Sequence, residues 1–484
     1  MKIQVKEKKS IIAVVILLII TVVIFYSREV LPKKESDIMD VVRESCEDCN
    51  VILVTMDTTR ADHFSSYGYD RDTTTLIDKL AKKGILFKNN FVQMPYTPTS
   101  HWSIMSGTYP HTHKHYSPGI PIEDGGPDDT DLPFIAKILK ENHYATIAFM
   151  GSKMVHSLVP GFDMIDLTPA ARKDNTAQEV TDKAITWIQD NSERKFFTWI
   201  HYWDPHDPYK PPAEYVYPDS PEEEFDKFLY MQRRYDGEIK HVDYQFNRII
   251  ELLRELKIDD KTIIVITSDH GEAFGEHEKG LFAPNTPNQL TRGHYQTVYD
   301  EEIHVPLVIY NPANKYIGEE VEELTQSIDI LPTILDMLSI DVPKEVEGSS
   351  LVPLINGEVA KINDFTFSIL KYVENELVEA KAGKKQKINN GKKKFGKGLR
   401  ATLRTDEWKL IRFVNSVNDV EEIEYVLYDM NNGEDENVLE GNPEIATAMI
   451  DQLELMLKAG NITNEEIKLT EEEIQILKSL GYLK

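Results

Sequence analysis

Cysteine is almost absent from this 484-residue sequence, which contains only Cys46 and Cys49. No second cysteine pair could complete a zinc site, and no thioredoxin-like pattern follows the pair, so catalysis by cysteine is not expected. The two-residue spacing predicts a small local disulfide or two free thiols, and a metal or redox role is the alternative.

Positive charge is also scarce. Lys and Arg together number 54 against 81 Asp and Glu, which gives a formal net charge of -27. Nucleic acid is therefore not expected as a partner, because binding its phosphates requires a basic surface. Any site for an anionic ligand must concentrate positive charge locally, through a metal ion, His, Arg or Lys.

The sequence shows no internal repeats, and its 41% hydrophobic and 28% charged residues are typical of a globular protein. Its length exceeds what one simple core usually holds, so we expect one large domain and a smaller appendage. We assign the large domain to residues 50–363 and a C-terminal subdomain to residues 364–484.

One long apolar run, Ile11 to Tyr26, follows a cluster of lysines near the N-terminus. Residues 11–27 are predicted to form an uncleaved transmembrane anchor. A signal peptide is the alternative, although no small-x-small cleavage site follows the run. The lysines place residues 1–10 in the cytoplasm. The folded domain would then face outward from the cell membrane, as a single-pass protein on a tether at residues 28–49.

Short apolar runs alternate with amphipathic stretches through the large domain. This alternation indicates an α/β fold with a mostly parallel sheet, and such sheets bind ligands at the carboxyl ends of their strands. The predicted strands are 51–56, 145–150, 196–203, 262–267 and 305–310, and the predicted helices are 73–83, 176–189, 225–256 and 329–338.

The C-terminal subdomain has a different pattern. Residues 408–411 and 426–428 are predicted to be antiparallel strands. Before them lies a Lys/Gly/Asn-rich segment at 381–400 that stands out against the acidic whole. We predict a solvated loop there, with binding to an anionic polymer or lipid headgroup as the alternative.

Acidic and imidazole side chains follow two of the predicted strands. Asp57 comes directly after the first strand, and Asp269 and His270 come shortly after the strand at 262–267. Because the carboxyl ends of parallel strands share one edge, these three side chains should converge. Carboxylate and imidazole suit a divalent ion such as zinc, manganese, magnesium or calcium.

A third motif, Thr97-Pro98-Thr99-Ser100-His101 through Gly107, lies on a loop that leads into a short helix. Together with Asp57-Thr58-Thr59-Arg60 and Ser268-Asp269-His270-Gly271-Glu272, it resembles the sulfatase family of the alkaline phosphatase superfamily. The resemblance runs from about Asn50 to the tail at 480–483. It implies a large, mostly parallel sheet flanked by helices with a smaller antiparallel subdomain, and a metal-dependent hydrolase of anionic esters.

The chain departs from that family at the position of the nucleophile. Sulfatases carry there a cysteine or serine oxidised to formylglycine, and this chain has Thr97, which that oxidation does not accept. The family's arginine four residues on is replaced by His101. Both departures resemble the branch that uses an unmodified threonine, so Thr97 is expected to be both nucleophile and metal ligand.

Three functions follow from this resemblance. The first is hydrolysis of a phosphate mono- or diester, phosphonate or sulfate ester, with a lipid or a glycan as one carrier of the ester. The second is a transferase of the phosphoethanolamine or phosphoglycerol type, and the third is sulfuric ester hydrolysis without formylglycine. We favour phosphorus esters, because a threonine sulfate ester would hydrolyse slowly. Detection of a modified lipid or glycan product would identify the transferase.

The resemblance also suggests further site residues. His206 in Asp204-Pro205-His206-Asp207-Pro208-Tyr209, and His294 after Gly293, are candidates for contact with the anion or leaving oxygen. We expect one metal ion. His201 and Asp204 are either structural or, with His206 and His294, the ligands of a second ion. The weaker candidates for substrate contact are Arg60, Asn89 and His101, and Arg60 and Asn89 could equally fix the loop around Asp57. The histidines at 111, 113 and 115 are expected to be structural.

Overall fold

The computed structural model describes residues 46–115, 131–152, 160–167, 176–217, 227–277, 292–313, 318–371, 399–417, 420–460 and 462. The predicted anchor at 11–27, most of the tether and the basic segment at 381–398 lie outside these residues. None of the helices in the described part of the chain combines the length and apolarity needed to span a bilayer. Cys46 and Cys49 form a disulfide, which is one of the alternatives that the sequence predicts.

The described strands belong to one large sheet, one small sheet and a two-stranded ladder. In chain order they are β1 (Asn50–Met56), β2 (Ile85–Phe91), β3 (Ala145–Met150), β4 (Met164–Leu167), β5 (Phe196–Tyr202), β6 (Thr262–Thr267), β7 (Ala273–Phe274), β8 (Arg292–Gly293), β9 (His304–Tyr310), β10 (Glu319–Gln326), β11 (Thr366–Lys371), β12 (Leu399–Arg404), β13 (Trp408–Val417) and β14 (Val420–Asp429).

The described helices surround these sheets. They are α1 (Ile77–Ala81), α2 (Thr97–Ser106), α3 (Pro110–His113), α4 (Ile135–Glu141), α5 (Ala177–Asn191), α6 (Lys227–Glu255), α7 (Asp300–Ile303), α8 (Ile330–Met337), α9 (Val352–Ile355) and α10 (Pro443–Ala459).

The large sheet has the order β10-β2-β9-β6-β1-β5-β3-β4 across the described residues. The pairs β1/β5, β1/β6, β3/β5, β3/β4 and β2/β10 are parallel, which confirms the mostly parallel fold. The strand predicted at 305–310 is β9, which pairs antiparallel with both β6 and β2 and is the exception within the mostly parallel sheet of the described residues. An apolar run reveals burial of a strand and not its direction.

Strand β1 is buried on both faces, as its unbroken apolar run predicts. Val51 and Leu53 pack into one core with α2, α4 and α8. Ile52 and Val54 pack into the opposite core with α1, α5 and α6. Helices therefore cover both faces of the sheet around β1, which leaves the carboxyl edge of the strand as the position for a site.

The small sheet is antiparallel, in the order β11-β12-β13-β14, and confirms the prediction for this region. Helix α10 packs against it. The sheet is joined to α7 through Lys409 on β13, whose fully buried ammonium lies 2.7 Å from Asp300 and 2.6 Å from Glu434. Each charge in this group has an opposite partner, as a buried ion requires.

Candidate active site

Two adjacent parallel strands bring the predicted metal ligands together. Thr55 on β1 pairs with Thr267 on β6. Asp57 and Asp269, which lie two residues after these threonines, therefore meet at the carboxyl edge of the sheet. Asp57, Asp269 and His270 are fully buried there, and one ligand atom from each lies within 4.8 Å of the others. The predicted convergence is thus seen in the structure.

Several atoms of this cluster lack a partner among the described residues. Asp269 Oδ1 accepts the backbone N–H groups of Thr58 and His270, at 3.1 and 3.0 Å, but its Oδ2 accepts no hydrogen bond. Neither carboxylate oxygen of Asp57 accepts one either. Buried carboxylates without partners are strongly unfavourable, so these oxygens fit a divalent cation.

The imidazole of His270 is oriented for the same role. Its Nδ1 donates to the Gly271 carbonyl at 2.9 Å, which leaves the lone pair on Nε2. Burial, helped by Asp269, raises the pKa of Asp57 well above its ordinary value. Burial alone would also raise the pKa of Asp269, but His270 and the neighbouring His101 and His201 lower it to about 2. One carboxylate of the pair is therefore held charged.

Thr97 is the first residue of α2 and is almost completely buried. Its hydroxyl lies 3.0 Å from His270 Nε2. The N-terminus of this ten-residue helix presents backbone N–H groups, which favour negative charge nearby. The helix ends at Gly107, whose φ of +64° and close contact with Val346 exclude a side chain. The structure therefore joins Thr97 to the metal-ligand cluster.

His206 and His294 line the same site. The ring centroid of His294 lies 4.4 Å from that of His270 and 5.1 Å from that of His206, and His206 stacks on Trp203 at 4.0 Å. Burial would lower the pKa of His294, but Glu272, 3.4 Å from its Nδ1, raises it to about 9. This shift favours the protonated form of His294 at neutral pH, and one of its causes is the charge of Asp57.

The three weaker candidates for substrate contact have other roles in the structure. The guanidinium of Arg60 bonds to Asp62 and Glu276 and to the Glu272 carbonyl, so Arg60 joins the loop after β1 to the loop after β6. This is the loop-fixing alternative predicted for it. His101 is fully buried, with Nδ1 2.8 Å from the Thr97 carbonyl and Nε2 3.2 Å from Thr55 Oγ1.

Asn89 does not join the site. It lies within β2, which is three strands away from β1, or about 14 Å at the usual strand spacing. Its amide donates to the Glu322 carbonyl at 2.6 Å across the ladder to β10. The expectation of substrate contact at Asn89 is therefore wrong, and its contact fixes the sheet edge.

The four residues considered for a second ion do not form one cluster, because only His206 and His294 lie close together. Asp204 instead accepts the backbone N–H groups of Thr176 and Ala177 at the start of α5, at 3.1 and 3.0 Å. It lies beside Glu238 and His241 of α6. His201 lies next to Asp57 instead.

The alternating histidines at 111, 113 and 115 pack as expected of structural residues, with His113 bonded to Ser103 and His115 stacked on Trp102.

Sequence reasoning missed Glu272, although it belongs to the quoted motif. It is fully buried, and its Oε1 has no hydrogen-bond partner in the described part of the chain. A buried acid two residues after a metal-binding histidine, with a second histidine 22 residues on, was the available signal.

The loop after Asp57 is held by Asp236 of α6. This fully buried carboxylate bonds to His63, Tyr69 and Arg71 at 2.6, 2.9 and 2.5 Å. We expect Asp236→Asn to lower the free energy of unfolding by about 3 kcal/mol, because it leaves buried partners unpaired. Urea denaturation measures the effect.

The matched control is Asp182→Asn, which removes a half-exposed ion pair with Arg248. It should change stability by less than about 1 kcal/mol. Equal effects of the two substitutions would contradict the anchoring role of Asp236.

Comparison with known proteins places this fold and site in a defined class. Residues 49–340 match the sulfatase family, and residues 293–389 match a family described as N-sulphoglucosamine sulphohydrolase, C-terminal. The fold is that of the alkaline phosphatase superfamily, and within it the chain belongs to the sulfatase family.

Individual relatives are more distant. An arylsulfatase of Clostridium perfringens is 29% identical over 216 residues, which cover 43% of this chain and 41% of that protein. The chain therefore matches less than half the length of this curated relative.

Two solved structures share the fold over most of their length. One was solved with its substrate D-glucosamine-2-N,6-O-disulfate and has a TM-score of 0.68 at 18% identity. The alignment covers 87% of this chain and 100% of that protein. The phosphonate monoester hydrolase of Agrobacterium radiobacter has a TM-score of 0.66 at 20% identity. The alignment covers 88% of this chain and 98% of the hydrolase.

Proposed function

We propose that this protein is a metal-dependent hydrolase of anionic esters, with Thr97 as nucleophile and Asp57, Thr97, Asp269 and His270 as ligands of one divalent cation. The supporting observation is the cluster of unpartnered carboxylate oxygens within 4.8 Å of a fixed imidazole nitrogen, with the hydroxyl of the helix-terminal Thr97 3.0 Å from that nitrogen. Membership of the sulfatase family supports the reaction class.

The reaction follows from the positions of the side chains. A bound divalent cation would acidify the Thr97 hydroxyl and neutralise charge on the oxygens of the substrate. The Thr97 oxygen forms a bond to phosphorus or sulfur while the bond to the leaving oxygen breaks. His294, held in its protonated form by Glu272, gives a proton to that leaving oxygen. Thr97 gives up its hydroxyl proton to solvent as it attacks. Water then forms a bond to the transferred phosphorus or sulfur while the bond to the Thr97 oxygen breaks, one proton of this water passes to His294, and the Thr97 oxygen regains a proton from solvent.

Phosphorus esters are our preferred substrates within this class. A threonine ester of phosphate can be cleaved by water, whereas a threonine sulfate would be released slowly. Among solved relatives, the phosphonate monoester hydrolase supports this choice, and the structure with a disulfated sugar supports sulfate esters. Phosphorus esters and sulfate esters should therefore be compared in the same assay.

The assay uses the purified full-length protein after removal of metal with a chelator. It is supplied in turn with zinc, manganese, magnesium and calcium, and with aryl esters of phosphate, phosphodiester, phosphonate and sulfate. We expect metal-dependent cleavage of a phosphorus ester in preference to the sulfate. Absence of cleavage for every metal and ester would refute the proposed function.

We also propose that residues 11–27 anchor the chain in the cell membrane with the site facing outward, from the lysines that precede the apolar run. Protease treatment of intact cells should then cleave the folded domain from outside. Protection of the domain until the cells are lysed would contradict this orientation.

Replacement of His294 tests the proton donor. We expect His294→Asn to lower kcat/KM by about 100-fold or more for an alkyl ester, whose leaving oxygen needs a proton. For a 4-nitrophenyl ester the loss should stay below about tenfold, because that leaving group departs as an anion. Equal losses for both esters would assign His294 to binding only.

A further inference from the structure

Thr58, the residue directly after Asp57, has a backbone conformation that threonine rarely adopts. Its φ is +54°, in the left-handed region, where a β-branched residue is a genuine outlier. Without other contacts a threonine here would return to a negative φ, because the left-handed conformation crowds Cβ against the following carbonyl oxygen. Such a conformation persists only where the surrounding structure holds it, and cases of this kind cluster at functional sites.

The fully buried Thr58 joins the three loops that form the site. Its N–H donates to Oδ1 of Asp269 at 3.1 Å, in the loop after β6. Its hydroxyl donates to the carbonyl of Pro205 at 2.9 Å, in the loop after β5 and directly before His206. The conformation of Thr58 therefore sets the direction of the chain at one proposed carboxylate ligand, Asp57, and supplies a hydrogen bond to the other, Asp269.

Tyr235 on α6 holds the chain immediately after Thr58. The phenol hydroxyl of Tyr235 donates to the Thr58 carbonyl at 2.7 Å and accepts the N–H of Arg60 at 2.9 Å. One hydroxyl thus uses its hydrogen and a lone pair to bridge the two peptide groups on either side of Thr59. This bridge fixes the path of the loop where Thr58 would otherwise relax to a negative φ.

The ring of Tyr235 is itself held in place by other rings. The side chain is fully buried, and its ring lies edge-on to those of His63 and Phe274, with centroids 5.0 and 5.1 Å away. The ring of Tyr209 is a third neighbour, at 5.7 Å. Aromatic pairs at these distances favour one relative orientation, so α6 presents the hydroxyl of Tyr235 to the loop at a fixed position.

We propose that Tyr235 is a positioning residue of the metal site and acts through Thr58. Its hydroxyl holds Thr58 in the left-handed conformation, and this conformation keeps Asp57 and Asp269 in the arrangement that binds the cation. The inference rests on the proposed function, because it requires the cation at these carboxylates. Replacement of residues that orient metal ligands without touching the metal typically weakens metal binding by about 10- to 100-fold.

The test measures metal affinity by competition with a fluorescent chelator, on full-length protein stripped of metal and titrated in turn with zinc, manganese, magnesium and calcium. We expect Tyr235→Phe, which removes only the hydroxyl, to weaken binding of the tightest-binding ion by about tenfold or more. The matched control Tyr202→Phe removes another fully buried phenol hydroxyl, which lies 2.9 Å from Thr181 Oγ1. The control should lower stability in urea by a similar amount but leave metal affinity within about twofold of the wild type. Equal losses of affinity in the two variants would overturn the positioning role.

A double-mutant cycle tests whether Tyr235 acts through Thr58. Glycine adopts a positive φ without the cost that threonine has. In the Thr58→Gly background, Tyr235→Phe should therefore weaken metal binding by less than about threefold. The same loss in both backgrounds would show that the hydroxyl does not act through the conformation of Thr58, and would overturn the proposal. If the wild-type protein binds none of the four ions, the proposed function fails, whereas wild-type affinity in Tyr235→Phe refutes this inference alone.

Discussion

Asp57→Asn is expected to abolish tight binding of the divalent cation while making the metal-free protein more stable. The wild-type carboxylate is fully buried beside Asp269, and neither of its oxygens has a hydrogen-bond donor among the described residues. A neutral amide of similar shape removes that repulsion, so we expect a gain of about 1–2 kcal/mol in the free energy of unfolding without metal.

The order of stability should reverse when metal is added. At a metal concentration 1,000 times the dissociation constant, the wild type gains about 4 kcal/mol by linkage, and the variant gains little. Thermal unfolding with chelator and with zinc measures both effects. The control Asp341→Asn, at an exposed position, should show neither. A metal-free variant less stable than the wild type would contradict our view that the buried Asp57 carboxyl is unfavourable without the cation.

Thr97→Ala is expected to lower kcat by about 1,000-fold or more, because it removes the attacking oxygen. Thr97→Ser keeps a hydroxyl at the same place and should retain activity within about tenfold. The control is Thr99→Ala, two residues along α2, whose hydroxyl bonds to the His115 carbonyl and not to the site. It tests whether any loss of a threonine in this helix disturbs activity.

A covalent intermediate gives direct evidence for the nucleophile. Brief exposure to substrate followed by acid quenching should leave the peptide that contains Thr97 heavier by the transferred group. The adduct should be absent in Thr97→Ala. Steady turnover without any adduct in the wild type would favour attack by water over attack by Thr97.

The parts of this structure that were predictable are those that repeat a simple pattern. Strands β1, β3 and β6 begin and end within one residue of their predicted limits, because each is an apolar run with polar residues at both ends. The convergence of Asp57 with Asp269 and His270 followed from strand ends alone. Strand β10 was missed, because its sequence Glu-Glu-Val-Glu-Glu-Leu-Thr-Gln carries the charges of an exposed sheet edge.

The unpredictable parts depend on which partners a side chain meets across the chain. Nothing near Arg60 in sequence shows that Glu276 bonds to its guanidinium, and the short-range pattern around Asn89 does not reveal its distance from β1. The sequence predicts a structural role or a second ion for His201 and not its contact with Asp57, because that contact depends on strand β5 lying directly beside β1. Sheet order is a long-range property that residue spacing does not encode.

The buried ammonium of Lys409 has a consequence for how this gene can be shortened. Asp300 is the first residue of α7, directly before β9 of the large sheet, whereas Lys409 lies on β13 of the small sheet and Glu434 follows β14. A chain ended at residue 363 would lose the lysine that neutralises Asp300, at the helix that follows the His294 segment by a few residues. A protein made from the first part alone would therefore carry an unneutralised carboxylate at Asp300.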